Sequence, residues 1–340
     1  MASFVKAPEP LSRRQIVFVR TDRLGETLLN LPAIRVLRRA YPNAHLRLML
    51  HPTLQELLVG HPDVDEVVSE PVASGPWWRQ AWCLSRVWRS WHPETIILSN
   101  AKKAYHVGAW LAGIPIRVGY NRKWGWMLTH RLPDQKAVGG RHEVDYNVDL
   151  IRALGITVSE IPPVCLPVSA EAADALNRCL TSRSLPHGER MVVVHPWTSN
   201  QRKQWPIERF RQLIERLRAV PALTVVVIGG PDEGAQRPDL FPEPQPDVVD
   251  LVGQLSLPEL AALFQRSRVV VSNDSGPVHV AAAVGTPTVV LFGTTDPATG
   301  PKRWGPWGEG HAVIWKPTMD AISVEEVLDA VRPYLSREDR

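Results

Sequence analysis

The sequence has few of the features that mark several large classes of protein. Its three cysteines are widely spaced and form no metal or redox motif, which fits a reducing compartment such as the cytoplasm. No apolar run reaches the roughly 18 residues of a membrane span. Residues 1–15 have neither the apolar core nor the cleavage site of a signal peptide. Neither G-x-G-x-x-G nor a P-loop occurs, so dinucleotide-binding and kinase functions have no motif support.

A strong excess of one charge is also missing. The chain has 39 Lys and Arg residues against 35 Asp and Glu residues, a net charge of +4. This small basic excess suits an anionic ligand or a membrane surface but requires neither. The composition, with 44% apolar and 22% charged residues, is that of a soluble globular protein. A length of 340 residues favours two domains.

Tryptophan, in contrast, is abundant, with 13 residues in the chain. Five side chains in the segment 76–91 recur at helical spacing and share one face of a predicted helix: Trp77, Ala81, Leu84, Trp88 and Trp91. The arginines of this segment lie largely off that face. One interpretation is a helix that faces the core. The other is a helix that meets a membrane surface or an acceptor, because Trp and Arg favour lipid interfaces.

The N-terminal half alternates short apolar strands with helices, which is typical of an α/β domain. A strand is predicted from Ile16 to Arg20, followed by a turn and a helix from about Glu26 to Ala40. Asp63 and Asp65 match a D-x-D metal motif. They follow His61-Pro62 and precede a predicted strand, so a solvated turn is favoured over a metal site.

The segment 268–293 carries the strongest pattern in the chain. An apolar run, a polar turn, a small-residue helix and a second apolar run predict a βαβ unit of a parallel sheet. Asp274 or Ser275 can cap the helix, Pro277 suits its first turn, and Gly276 lets a ligand approach the backbone. The N-terminus of such a helix makes a diphosphate site. An ordinary capped crossover helix explains the same features.

Four stretches, in this order, make the chain resemble glycosyltransferase family 9, the ADP-heptose–lipopolysaccharide heptosyltransferases. They are residues 20–26 with Pro32, residues 195–206, residues 229–233, and residues 273–279 followed by Gly285-Thr286-Pro287. The resemblance implies an α/β protein of the GT-B fold, with two Rossmann-like parallel-sheet domains facing a central cleft. We expect an N-terminal acceptor-binding domain at 1–175 and a C-terminal nucleotide-sugar-binding domain at 176–322. A final helix, 323–340, is expected to pack back toward the N-terminal domain.

The resemblance also implies which residues bind the donor: Thr198, Ser199, Lys203, Glu233, Asp274, Ser275, Gly276, Pro277 and His279. In the family pattern Lys203 is a mobile cation that meets the donor's phosphates. The backbone N–H groups of Ser275 and Gly276 hold the diphosphate as it departs. Each assignment has a structural alternative: Lys203 as a solvated lysine, Asp274 as a helix cap, and His279 as a core histidine.

The family's general base is a carboxylate just after the glycine of the first loop, and this position is Glu26. Many members have Asp there, so Glu26 departs from the family pattern, with a side chain that is one methylene longer. The alternative for Glu26 is a partner of the helix dipole. The residues expected to bind the acceptor are Arg23, Gly25 and Arg122, with a solvated basic face as the alternative. His195 is interpreted as structural.

The function implied by the resemblance is an inverting glycosyltransferase that needs no metal and no cofactor. It moves a heptose from ADP-heptose to a lipid A-linked lipopolysaccharide core. The expected partners are that donor and the lipid-anchored oligosaccharide, with no nucleic acid. The expected location is the cytoplasm, with room for peripheral contact at the inner face of the cytoplasmic membrane. Three alternatives stay open: another nucleotide-sugar donor, a non-catalytic sugar-nucleotide-binding protein, and a UDP-sugar epimerase.

Overall fold

The computed structural model describes residues 14–71, 74–181, 190–241 and 248–336. These residues divide into two compact units, each formed from segments that are separate in the sequence. The first unit contains residues 14–23, 30–135 and 144–162. The second contains residues 24–29, 136–143 and 163–336, within the described ranges.

The regular elements alternate between strands and helices along most of the chain. The strands are β1 (Gln15–Arg20), β2 (His45–Leu50), β3 (Glu66–Ser69), β4 (Thr95–Leu98), β5 (Ile116–Tyr120), β6 (His130–Leu132), β7 (Arg190–His195), β8 (Leu223–Val227), β9 (Val248–Asp250), β10 (Val269–Asn273), β11 (Thr288–Gly293) and β12 (Ala312–Lys316). The helices are α1 (Leu24–Leu28), α2 (Leu31–Ala40), α3 (Gln55–Leu58), α4 (Trp77–Trp91), α5 (Lys103–Leu111), α6 (Glu143–Arg152), α7 (Ala170–Thr181), α8 (Ile207–Arg218), α9 (Arg237–Leu240), α10 (Leu257–Gln265), α11 (Gly276–Ala283), α12 (Pro301–Trp304) and α13 (Val324–Leu335).

Each unit is built on one six-stranded sheet in which all the strand pairs are parallel. The order in the first unit is β3-β2-β1-β4-β5-β6, and in the second it is β12-β11-β10-β7-β8-β9. Numbered within its own unit, each sheet has the doubly wound order 3-2-1-4-5-6. The prediction of two Rossmann-like domains therefore agrees with both sheets.

The strands at the centre of each sheet are apolar on both faces because helices cover both sides. In β7, for example, the residues from Met191 to Val194 are all buried. In the second unit, α13 adds Val327 and Val331 to the core that β7, β8 and α8 share. The described part of α13 thus packs inside the second unit. The packing of residues 323–340 toward the N-terminal domain stays a prediction.

The predicted helix from Glu26 to Ala40 is two helices, α1 and α2. The break falls at Leu29 and Asn30, and α2 begins with a proline in its first turn. Pro32 has no N–H to give to a preceding turn, so a continuous helix would lose a hydrogen bond there. The break also separates the two units, because α1 belongs to the second unit and α2 to the first.

The Trp-rich segment is a helix, α4, with a buried face and an exposed one. Ala81, Leu84 and Trp88 lie in the core of the first unit, which agrees with a core-facing stripe. Trp77, which shares the same predicted face, is 41% exposed. In the described parts of the chain, no helix combines the length and the apolar character needed to cross a bilayer.

The Asp-x-Asp sequence at 63–65 is a turn held by arginines. The carboxylate of Asp63 accepts a hydrogen bond from Arg35 Nε at 2.8 Å. The carboxylate of Asp65 pairs with Arg38 and accepts the backbone N–H of Leu46 at 2.7 Å. These contacts agree with the expected turn before a strand, since both carboxylates stabilise the local chain path.

Candidate functional site

The predicted donor-binding residues gather at the carboxyl edge of the second sheet. β7 and β10 are neighbours in that sheet, and they are the first and fourth strands of the unit in chain order. Between them the direction of winding reverses, so the loops after these two strands lead away on opposite faces of the sheet. In parallel α/β sheets this switch point is where ligands bind. The loop after β7 carries Lys203, and the turn after β10 carries Asp274 and Ser275.

The helix α11 starts directly after β10, as the sequence predicts. Ser275 is its N-cap residue, and Pro277 lies in its first turn. The expectation of a side-chain cap is wrong, because Ser275 makes no capping hydrogen bond. Its hydroxyl lies instead 3.0 Å from the Ser272 hydroxyl and 3.2 Å from His195 Nδ1. The Ser275 side chain is thereby turned toward the sheet edge and away from the first N–H groups of the helix.

Lys203 and Asp274 form an ion pair at the start of α11. Lys203 ends a short 3-10 turn, Gln201–Lys203, and its Nζ contacts Asp274 Oδ2. The side chain of Asp274 is only 8% exposed, whereas that of Lys203 is 31% exposed. Burial raises the pKa of Asp274, and the neighbouring Lys203 ammonium opposes that rise. The lysine expected to be mobile is held here by a buried carboxylate.

Asn273 fixes the loop that carries Lys203. Its side-chain amide donates to the Pro196 carbonyl at 2.8 Å, and its oxygen accepts the backbone N–H of Trp205 at 3.0 Å. The two ends of the loop are thus tied to the last residue of β10. Sequence reasoning missed this role, although an asparagine at the end of an apolar strand is the kind of residue that could have indicated it. Thr198 and Ser199 lie in the same loop, half-buried and exposed respectively.

His195 connects two of the predicted donor contacts. It is 4% exposed at the end of β7, and its Nδ1 lies 3.1 Å from the Ser272 hydroxyl as well as near Ser275. On the other side of the ring, Nε2 lies 3.3 Å from the carboxylate of Glu233. Glu233 also accepts the backbone N–H of Gly230 at 2.7 Å. One imidazole thereby joins the loop after β8 to the turn after β10, a link that the sequence pattern did not reveal.

Glu233 keeps its negative charge in this network. Burial opposes ionisation of the carboxyl, but the hydrogen bond and charge of His195, together with the N–H of Gly230, hold the pKa of Glu233 below its usual value. An ionised Glu233 accepts a hydrogen from Nε2 of His195. Nδ1 of the same ring faces the serine side of the network, near the Ser272 and Ser275 hydroxyls.

His279 lies on α11, two residues after Pro277, and is buried against α1. A Cβ atom placed on Gly25 would lie 2.5 Å from His279 Cδ2, so glycine is required for this close approach. Burial, with smaller effects from the charges of His142, Lys203 and His311, lowers the pKa of His279 to about 3. The ring is therefore neutral. Its Nδ1 is buried and has no hydrogen-bond partner within the described residues.

Glu26 follows Gly25 in α1 and is half-buried. Because α1 packs on α11, the predicted base belongs to the same compact unit as the predicted donor residues. Arg23 and Arg122 belong to the first unit, where both are exposed. Arg122 Nε pairs with the carboxylate of Asp134 at 2.9 Å. The roles of Glu26, Arg23 and Arg122 stay predictions.

A buried ion cluster that the sequence did not indicate holds residues 136–143 in the second unit. The carboxylate of Glu143 accepts hydrogen bonds from Lys136 Nζ at 2.5 Å and from Arg303 Nη2 at 3.1 Å. His142 Nε2 lies 2.9 Å from the Gly305 carbonyl. Glu143 and Arg303 are 160 residues apart in the sequence, and no local pattern encodes such a contact. In the described ranges, no three His, Cys, Asp or Glu side chains are grouped as metal ligands.

Comparisons with known proteins place this architecture among sugar-transferring enzymes. The sequence model of the family described as glycosyltransferase family 9 (heptosyltransferase) matches residues 101–330. The chain is 25% identical to lipopolysaccharide heptosyltransferase 3 of Escherichia coli, over 92% of each chain. A glycosyl transferase family 9 structure from Veillonella parvula has a TM-score of 0.85 at 21% identity, covering 95% of this chain and 97% of that one. The E. coli ADP-heptose lps heptosyltransferase II gives 0.78 at 20% identity, over 95% and 98%. These likenesses and the two parallel sheets confirm the predicted GT-B fold.

Proposed function

Because the chain belongs to glycosyltransferase family 9, a family of heptosyltransferase enzymes, we propose that it transfers a heptose from ADP-heptose to a lipopolysaccharide core acceptor, with inversion and without a metal ion. The observation that carries the proposal is the constellation at the switch point of the second sheet. The Lys203 ammonium lies beside the start of α11, and His279 of the same helix has an Nδ1 atom without a hydrogen-bond partner among the described residues.

The donor's diphosphate fits this constellation by charge. Lys203 supplies a cation, and the N–H groups at the start of α11 add the positive end of a helix dipole. The lysine's contact with Asp274 is compatible with this role, because an ammonium group has three donors and can keep one on the carboxylate. The similar E. coli enzyme named for ADP-heptose supports the choice of this donor.

The proposed reaction is a single displacement at the anomeric carbon. Glu26 accepts the proton of the acceptor hydroxyl, and that oxygen forms a bond to the anomeric carbon from the side opposite the diphosphate. The bond between the anomeric carbon and the phosphate oxygen breaks, and ADP leaves with its electron pair. Lys203 and the α11 N-terminus stabilise the negative charge that develops on the departing phosphate. No cofactor takes part.

The acceptor in this proposal is a core oligosaccharide anchored by lipid A. Arg23, Gly25 and Arg122 contact its acidic sugars, and the enzyme works at the inner face of the cytoplasmic membrane through peripheral contact. The lipopolysaccharide heptosyltransferase relative from E. coli supports this acceptor class. No nucleic acid is a partner.

The substitution Glu26→Gln tests the role of the base while keeping the side chain's shape. General-base catalysis is worth about 10²–10⁴-fold, so we expect turnover to fall by that factor. Donor binding, measured by calorimetry, should stay unchanged. Glu26→Asp should keep part of the activity, and Glu215→Gln, on the exposed face of α8, should keep all of it. Full activity in Glu26→Gln would remove Glu26 from the mechanism.

A further inference from the structure

The first unit carries an exposed surface of tryptophan and basic side chains that the proposed chemistry does not use. We name it the aromatic-basic surface and define it by these residues: Trp77, Trp78, Arg79, Trp82, Arg86, Lys123, Trp124 and Trp126. We propose that it binds the interface of an anionic phospholipid bilayer. This inference rests on the proposed function in one respect, because a lipid-anchored acceptor requires the enzyme to work at a bilayer.

The aromatic part of the surface is continuous. Trp78 and Trp82 are one turn apart on the exposed face of α4 and are 55% and 57% exposed. Trp77, next to Trp78, packs against Trp124 with ring centroids 5.5 Å apart. Trp124 in turn stacks on Trp126, which is 63% exposed. Large apolar side chains of this kind are costly to leave in water unless a partner covers them.

Cations are interleaved with these rings. The guanidinium of Arg79 lies over the Trp78 ring at 5.4 Å, and that of Arg86 lies over the Trp82 ring at 4.9 Å. Within the part of the chain that the structure describes, neither arginine pairs with a carboxylate. Lys123 is exposed in the turn next to Trp124. A tryptophan that sits at headgroup level and a cation that meets the phosphates are the two elements of interfacial membrane binding.

The sequence segment that carries this surface is rich in basic residues, of which Lys102 and Arg122 pair with the flanking Glu70 and Asp134. Between Glu70 and Asp134 the sequence has nine Lys and Arg residues but one acidic residue, Glu94. The remainder of the chain has 30 basic and 34 acidic residues, a net negative charge. Glu94 comes three residues after the C-terminal end of α4, whereas the exposed tryptophans are in its first two turns. Eight of the 13 tryptophans fall in the same interval.

This charge distribution selects an anionic partner over a second copy of the chain. A symmetric dimer through the aromatic-basic surface would bring two net positive patches together, which is unfavourable. A bilayer with anionic headgroups supplies the opposite charge over a wide area and an apolar layer just beneath it. Each basic residue near such a surface strengthens binding by roughly fivefold.

Flotation with lipid vesicles tests the proposal with the full-length protein. The wild type should float with vesicles of phosphatidylethanolamine and phosphatidylglycerol and much less with phosphatidylcholine alone. The triple variant Trp78→Ala, Trp82→Ala, Trp126→Ala should lose at least tenfold in partitioning. The variant Arg79→Gln, Arg86→Gln should lose about tenfold or more, given roughly fivefold for each cation. Added salt at 0.5 M should weaken the binding of the wild type, because exposed charges are screened.

The matched control is Trp315→Ala, which removes a tryptophan of similar exposure, 53%, from the second unit. It should float like the wild type. Donor binding by calorimetry and the thermal midpoint should stay unchanged in all variants, which separates loss of membrane binding from loss of the donor site or of the fold. Equal flotation of the triple variant and the wild type would overturn the proposal. So would a wild-type dimer that the triple variant converts to a monomer, because the surface would then belong to a second copy.

Discussion

The pair of Lys203 and Asp274 is the residue-scale feature on which the donor site depends. A buried carboxylate is costly unless a cation compensates its charge. The Lys203 ammonium does so while keeping a third of its side chain exposed. The lysine is thereby directed toward the start of α11 before any ligand arrives. This arrangement reduces the side-chain entropy that is lost when an anion binds.

Replacing the lysine should make stability depend on pH. In Lys203→Met the pKa of Asp274, already raised by burial, rises further because the opposing charge of the Lys203 ammonium is gone. A carboxyl whose pKa is higher in the folded state binds more protons there than when unfolded, so stability falls as pH rises toward the folded pKa. We expect the loss of unfolding free energy relative to wild type to grow between pH 5 and pH 8, to about 1–3 kcal/mol.

Urea denaturation at several pH values measures this effect. The double variant Lys203→Met, Asp274→Asn serves as the control, because a neutral amide has no proton to gain. Its stability relative to wild type should be nearly constant over the same pH range. If the difference in unfolding free energy between Lys203→Met and wild type does not change between pH 5 and pH 8, Asp274 does not need the lysine's charge.

The predictable residues of the site are those that a local pattern marks. Gly276 and Pro277 follow an apolar strand and open a helix, so their placement follows from the turn and helix-start preferences. His195 and Asn273 look ordinary in the sequence. Their partners, Glu233 and Pro196, are 38 and 77 residues away, and only the sheet order brings them within hydrogen-bond distance. Local propensity carries no information about such contacts.

At the scale of elements, the segment 136–143 shows how a short piece of chain is fixed to the second unit. Gly139 has a φ of +65° and is buried against the 3-10 turn Pro297–Thr299. Any Cβ atom there would overlap the backbone of Pro297. Lys136 and Glu143, at the two ends of this segment, pair with each other, and Glu143 also pairs with Arg303. The segment is thus secured by both close packing and charge.

Substituting this glycine should be strongly destabilising. Gly139→Ala places an alanine in a left-handed conformation, which costs about 1–2 kcal/mol of stability. The overlap of its Cβ with the backbone costs about 1–3 kcal/mol more. We expect a loss of roughly 2–4 kcal/mol in the free energy of unfolding, measured by urea denaturation.

The neighbouring glycine provides the control. A Cβ atom on Gly140 would meet only Val138 Cγ1, at 3.9 Å. Gly140→Ala should therefore change stability by less than about 0.5 kcal/mol. Similar losses in the two variants would contradict the packing described for Gly139.

Element prediction from the sequence worked where one pattern dominated. In the segment 268–293, β10, α11 and the parallel β11 form the predicted βαβ unit. The helix predicted from Glu26 to Ala40 was wrong at its middle. Pro32 marks the start of α2, but its helical neighbours on both sides hid the break. In α4 the period was predicted correctly, but the exposure of Trp77 depends on what the first turn of the helix packs against.

At the scale of the whole molecule, alternating strands and helices predict parallel sheets, and both sheets have this form. Strand order and the composition of each unit do not follow from that alternation alone. Residues 24–29 belong with the second unit because Gly25 packs on His279, and residues 136–143 belong there because Glu143 pairs with Arg303. Both contacts join distant parts of the sequence. Each unit is therefore assembled from segments that are separate in the sequence.

The most direct test of the proposed function is which nucleotide-sugar donor the protein binds, and whether it needs a metal to do so. We would titrate it by calorimetry with ADP-heptose, ADP, UDP-sugars and GDP-sugars, in the presence of EDTA. We expect ADP-heptose to bind tightly without a metal, and the uridine and guanosine sugars not to compete with it. Preferential binding of a UDP-sugar or a GDP-sugar, or binding of ADP-heptose only after a divalent metal is restored, would contradict the proposed function.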